Sequence, residues 1–192
     1  MRFPSRLCMA TMLALCTFTA QAQKDDDDRE GFNGLRAGWH YSDLESDDAE
    51  SDARSGFYAG YYRNLIKIPL YRLSTGMEYT TAGGTSTTAG ITSEARLAYI
   101  SLAINNRFKI GPVYGDIGID PGLRVGEKVL VNGTEVDLPD DAQAERFDMP
   151  VHIGAGFKVL FLSLELRYRY SVTEVYENTR NTGLQVGLSA FF

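Results

Sequence analysis

Hydrophobic and polar positions alternate one by one through most of this chain, most clearly from Phe161 to Val172. Leu162, Leu164, Leu166, Tyr168, Tyr170 and Val172 fall in one phase, and Phe161, Ser163, Glu165, Arg167, Arg169 and Ser171 in the other. A period of two predicts a strand, because successive Cβ atoms point to opposite faces of a sheet. The apolar phase is unbroken and the polar phase carries three charges, so one face meets an apolar medium and the other a wet one. A soluble sheet does this with its core inside, and a transmembrane barrel with lipid outside and a polar lumen within.

The same alternation predicts seven further strands. The first runs over Gly34–Tyr41, with Leu35, Ala37, Trp39 and Tyr41 against Arg36, Gly38 and His40. The second, Gly56–Asn64, has no clear phase, since Tyr58 and Tyr62 oppose Phe57, Ala59 and Tyr61. The third and fourth cover Leu70–Thr80 and Ala95–Ile104, the fifth and sixth Pro112–Val125 and Phe147–Val159, and the eighth Asn181–Phe192, with Phe161–Val172 as seventh. Between them lie an acidic loop, Ser42–Ser55, and a Gly/Thr/Ser-rich stretch, Thr81–Ser93, that reads as a mobile surface loop. A polar turn falls around Asn105–Lys109, and Asn132-Gly133 is a hairpin signal inside the longest connection. Strands of about 9 to 11 residues suit a tilted bilayer crossing, and long connections after every odd strand alternate with short ones. The expectation is an all-β, eight-stranded antiparallel up-and-down transmembrane β-barrel with both termini on the periplasmic side.

Lipid outside is favoured over a soluble barrel by what each phase contains. Gly38, Gly76, Gly118, Gly122, Gly154, Gly156 and Gly187 collect in the polar phase, as a narrow eight-stranded interior requires. Trp39, Tyr41, Tyr79, Tyr168 and Tyr170 stand near strand ends in the apolar phase, where an interfacial girdle belongs. An arginine facing lipid near the midplane costs about 2 to 4 kcal/mol, so Arg167 and Arg169 are expected to point inward. Arg36, His40, Glu78, Asp116, Asp120, Arg124, His152, Lys158, Glu165, Arg167 and Arg169 share the polar phase and form a candidate lumen network that fills the bore. Arg63, near a turn of the second strand, is expected to snorkel to the interface.

The first residues read as a targeting segment. Arg2 and Arg6 precede the apolar run Leu7–Ala20, and Ala20-Gln21-Ala22 is a cleavage signal, so residues 1–22 are expected to be a signal peptide. Cys8 and Cys16 both lie within it, leaving no thiol or disulfide in the mature chain. Residues 23–33, with Asp25 to Asp28 in a row, read as a solvated acidic arm, and residues 34–192 as the barrel. The full chain of 192 residues has a formal net charge of −6; the leader carries two arginines and no acid, so the mature value is −8. That balance gives nucleic acid no basic footprint.

Several segments carry a resemblance. Gly111-Pro-Val-Tyr-Gly-Asp116-Ile-Gly118, Gly154-Ala-Gly156-Phe157, Leu162 to Tyr170 and the closing Gly183 to Phe192 resemble the PorT-like outer-membrane β-barrel family common in Bacteroidota. The resemblance implies an outer-membrane location and insertion by the barrel assembly machinery through the last strand, with Leu184, Val186, Leu188 and Phe192 as the insertion signal. Its partners are then outer-membrane lipid and that machinery, the chain being a monomer. The motifs specify no reaction and no extracellular ligand.

Catalytic chemistry finds little support. His40 and His152 are the only histidines, both in the polar phase, and lone imidazoles on separate strands read first as members of a hydrogen-bond network. No G-x-S-x-G, H-E-x-x-H or phosphate loop is present. No cofactor is expected. Asp43, Glu45, Asp47 and Asp48 are a candidate cation-binding loop, but the EF-hand glycine and terminal glutamate are missing, and a solvated loop is the simpler reading. A non-enzymatic outer-membrane barrel with a filled lumen, acting through envelope structure or its loops, is the expectation; a narrow solute channel is the alternative.

Overall fold

The computed structural model describes residues 31–46, 51–88, 90–136, 139 and 142–192. The expected signal peptide, residues 23–30 of the acidic arm, and Asp47 and Asp48 lie outside the described residues.

Eleven strands are present among the described residues: β1 Asn33–Ser46, β2 Asp52–Ile68, β3 Tyr71–Thr88, β4 Ile91–Ile110, β5 Val113–Ile119, β6 Gly122–Val131, β7 Thr134–Val136, β8 Phe147–Asp148, β9 Pro150–Val159, β10 Leu162–Ser171 and β11 Thr179–Phe191. The pairings among the described strands are antiparallel, and β11 returns to β1 over Gly34↔Phe191 to Ser46↔Thr179. The sheet therefore closes on itself, which removes its long edges. β5 and β6 together form one wall strand, since both pair with β4, and β8 with β9 form the next. The result is a ring of eight.

The fifth expected strand is interrupted at Asp120 and Pro121. Proline has no N–H for the ladder, so β5 ends there and β6 resumes, while the Pro121 carbonyl still accepts from Leu102 N at 2.8 Å. The Asn132-Gly133 signal forms the β6–β7 hairpin, with φ of 50° and 80° at the two turn residues, as a two-residue turn of the type I′ kind demands.

Two expected connections are strand instead. Thr81–Ser93 is a regular β3–β4 hairpin paired from Thr81↔Ala98 to Thr88↔Ile91, because its threonines are β-branched and suit a ladder better than a coil. Asn105–Lys109 continues β4, with Asn105, Arg107 and Lys109 buried inward and Phe108 outward; the chain turns only at Gly111-Pro112. The acidic loop is also shorter than expected, since β1 runs to Ser46 and β2 begins at Asp52, which places Asp43 and Glu45 on β1.

The two faces separate as the alternation requires. On β10, Leu164 is 56% exposed whereas Arg167 is fully buried. Leu35, Trp39, Tyr61, Met77, Ile100, Leu102, Ile117, Ile153, Leu164, Leu166 and Leu188 form part of a continuous exposed apolar band around the ring. A water-soluble monomer rarely exposes more than a few hundred Å² of contiguous apolar surface. In β2 the uncertain phase resolves with Tyr58 and Tyr62 inside and Phe57 and Tyr61 outside. Arg63 is exposed on the outer face, beside Asn33 at the start of β1.

Candidate functional site: the barrel lumen

The interior is filled by ion pairs centred on two carboxylates. Glu165 faces Arg36 Nε at 2.7 Å, Arg107 Nη2 at 3.4 Å and Arg167 Nη2 at 3.7 Å. It also accepts hydrogen bonds from the hydroxyls of Tyr58 and Tyr114, each at 3.3 Å, and Ser189 at 3.4 Å. Glu78 accepts from Arg167 Nη2 at 3.1 Å, Arg169 Nη1 at 3.3 Å, Gln185 Nε2 at 3.2 Å, Thr80 Oγ1 at 2.9 Å and the Tyr62 hydroxyl. Asp116 pairs with Arg107 at 3.4 Å. Asp120 meets Arg169 Nε at 3.3 Å and His152 Nδ1 at 3.0 Å.

Four guanidinium groups and four carboxylates thus form one connected set, balanced in formal charge. Balance matters because an unpaired buried ion costs several kcal/mol, whereas a paired and hydrogen-bonded one is tolerated. Arginine suits this interior better than lysine, since its flat face also stacks on rings. Arg36 lies 4.2 Å from the Tyr62 ring centroid, Arg107 3.7 Å from that of Tyr114 and Arg167 5.2 Å from that of Tyr58.

Local sequence makes the room. Glu165 pairs across the sheet with Gly156 on one side and Gly187 on the other. A Cβ at Gly187 would overlap the Tyr58 hydroxyl, and one at Gly156 would overlap the Tyr114 ring, so only glycine lets the two tyrosines lean over the carboxylate.

Of the residues singled out in the polar phase, Arg36, Glu78, Asp116, Asp120, His152, Glu165, Arg167 and Arg169 meet in this network. His40 is buried but bonds instead to the Thr81 carbonyl at 2.9 Å, with Nε2 unpartnered among the described residues. Arg124 sits apart, toward the ends of the long strands, paired with Glu127. Lys158 is half-buried in the inward phase near the opposite end. Asp43 and Glu45 stand two apart on β1, and no group of three or more metal-ligating side chains occurs among the described residues. Tyr58, Tyr62, Tyr114, Arg107 and Gln185 are network members that sequence reasoning did not single out; strict alternation through β4 would have found Arg107.

Small apolar clusters lie toward both ends of the lumen. At the termini's end, Tyr62 and Ala103 pack with Phe191. At the other end Ala82, Leu97 and Tyr99 of the wall receive Ala144 and Val175 from the connecting segments, with Leu44 and Tyr176 against them.

Against known proteins, the family model for the outer membrane protein beta-barrel domain matches residues 10–192. The chain belongs to that family. Its location is accordingly the outer membrane, and the exposed apolar band is the surface that outer-membrane barrels turn to lipid. Among solved structures, Ail, the attachment invasion locus protein of Yersinia pestis, is 17% identical with a TM-score of 0.55, over 85% of this chain and 99% of that one. Neisserial surface protein A is 16% identical with a TM-score of 0.52, over 84% of this chain and 98% of that one. At these identities the likeness is one of fold. No curated protein matches the chain.

Proposed function

We propose that the protein is a monomeric, non-enzymatic outer-membrane barrel of the PorT-like kind found in Bacteroidota, exported by a cleaved signal peptide. The barrel assembly machinery inserts it through β11, whose Leu184, Leu188 and Phe192 are exposed toward lipid, leaving both termini periplasmic and the long-strand end extracellular. It serves the envelope as a rigid, plugged barrel and meets extracellular partners through the sheet formed by β2, β3, β4, β6 and β7 beyond the apolar band.

One observation carries this reading: the charge-balanced network across the bore, with apolar clusters toward both ends. An eight-stranded interior is just wide enough for side chains to fill, and here arginine and tyrosine fill it. The histidines support the non-enzymatic reading, His152 being held by Asp120 and His40 by a wall carbonyl, both almost wholly buried. Planar-bilayer recording of the purified protein tests the proposal. The expected result is no stable opening at any holding potential; reproducible unitary steps from the wild-type barrel would establish a through-path and overturn it.

A further inference from the structure

The loop-end cluster, a seal over the mouth, has a construction that the cluster at the opposite end lacks. It is not made by wall residues alone: Ala144 and Val175 enter the mouth from two separate segments, residues 142–146 and 172–178. These are tied to each other, Glu145 N donating to the Val175 carbonyl at 2.7 Å, and the second is folded back by Val175 N to the Thr179 carbonyl at 2.8 Å. Thr173 Oγ1 donates to Asp148 at 3.0 Å and accepts from Met149 N at 2.9 Å, and the Arg146 carbonyl accepts from Arg124 N at 2.8 Å, but the two segments share one fastening to the wall, a single carboxylate. Glu127 on β6 accepts from Ala144 N at 3.1 Å and from the Tyr176 hydroxyl at 2.8 Å, while pairing with Arg124 of its own strand. Burial pushes the Tyr176 phenol above its usual pKa, so it remains a donor.

Beneath the seal lie polar atoms that the ion-pair network does not use. Tyr99 Oη, Ser171 Oγ, Asn181 Oδ1 and Nε2 of both His40 and His152 are buried without a hydrogen-bond partner among the described residues. They run from the seal to the edge of the network: Tyr99 belongs to the seal cluster and Asn181 pairs with Leu44 beside it, His40 stands between Arg36 and Leu44 on β1, Ser171 is the next inward residue beyond Arg169 on β10, and His152 is held by Asp120 of the network. Buried polar groups are normally paired, and unspent capacity of this kind, which Asp116, Arg167 and Gln185 of the network also show, marks an interior built to be wetted.

We propose that residues 142–146 and 172–178 form a displaceable lid, latched by Glu127, over a blind polar vestibule that opens only to the extracellular side. The proposal rests on the plugged-barrel reading above, since the ion-pair network forms the vestibule's floor. Releasing the latch exposes Tyr99, His40 and Ser171 to small hydrophilic molecules without opening a path through the membrane.

Thiol accessibility tests this directly, because the mature chain expected after Ala22 has no cysteine. Ser171→Cys is installed in the protein from Gln23 to Phe192, reconstituted in vesicles and exposed to a membrane-impermeant cationic methanethiosulfonate reagent. Glu127→Gln, Glu127→Ala and Tyr176→Phe are each compared in that background, with heat-modifiable migration as the folding check. The loss of one charged acceptor with several donors predicts modification about tenfold faster or more in Glu127→Ala, with Tyr176→Phe between it and the parent. Equal rates in parent and folded latch variants, whether all fast or all slow, overturn the lid; if Glu127→Ala does not fold, Glu127→Gln and Tyr176→Phe decide. Bilayer recording of the same variants separates the two proposals. Faster labelling without conductance supports both, whereas faster labelling with unitary conductance keeps the lid and removes the plugged floor.

Discussion

Replacing Glu165 by glutamine removes one negative charge from a connected network whose four arginines and four carboxylates otherwise balance. The amide keeps one acceptor oxygen and nearly the same volume, so packing against Tyr58 and Tyr114 is retained while Arg36, at 2.7 Å, loses its charge partner. Breaking a buried pair from one side costs about 3 to 5 kcal/mol, because the remaining ion is left uncompensated. That is a large part of the roughly 5 to 15 kcal/mol that holds a typical domain folded. Urea titration of the reconstituted barrel, followed by fluorescence of Trp39, the single tryptophan, measures the loss. Glu165→Gln is expected to lower the midpoint strongly, and adding Arg36→Met is expected to return part of the loss, since the double variant leaves no unpaired charge. A destabilisation below about 0.5 kcal/mol, the size of an ordinary surface change, would refute the idea that this network holds the interior together.

Other outcomes follow from the same geometry. Leu164→Arg puts a guanidinium on the outer face of β10, and the expected cost in a bilayer is about 2 to 4 kcal/mol by urea titration, where an unchanged midpoint would mean that the site does not face lipid. Beyond the apolar band, the Glu94 carboxylate accepts from Arg96 at 2.8 Å and Arg54 at 2.7 Å, which holds its pKa down to about 2 from 4.5. A depressed acid stabilises above its unfolded pKa and loses that contribution as pH falls through the folded one, so this clasp between β2 and β4 is expected to persist at pH 5 and fade toward pH 2. An NMR titration of the Glu94 side chain reads the midpoint directly, and a value near 4.5 would contradict the clasp.

Much of the barrel was legible in one dimension because each wall strand obeys a period of two over a long stretch. β10 and β11 show this best: Leu164, Leu166, Leu184 and Leu188 lie outside, and Glu165, Arg167, Gln185 and Ser189 inside. Legibility failed where residue type and facing part company. Tyr58 and Tyr62 look like lipid-girdle residues, yet their hydroxyls reach Glu165 and Glu78 within the bore. Asn105, Arg107 and Lys109 look like a turn because a polar cluster usually marks one, but in a barrel with a polar lumen the inward phase of a strand is itself polar. Thr81–Ser93 has no long apolar pattern to follow, and apart from Ala82, which packs in the loop-end cluster, its strand state comes from pairing β3 with β4. The lid was hidden for a different reason. Glu127, Ala144 and Tyr176 are brought together only by the closed ring, and nothing local in any of the three segments announces the other two.

The measurement that bears most directly on the account is depth-dependent quenching of Trp39, 63% exposed on the outer face of β1. Reconstituted into bilayers whose acyl chains carry bromine, the protein is expected to lose most of its tryptophan emission while remaining insensitive to aqueous iodide. Strong quenching by iodide with none from brominated lipid would place that face in water and contradict the membrane-spanning barrel.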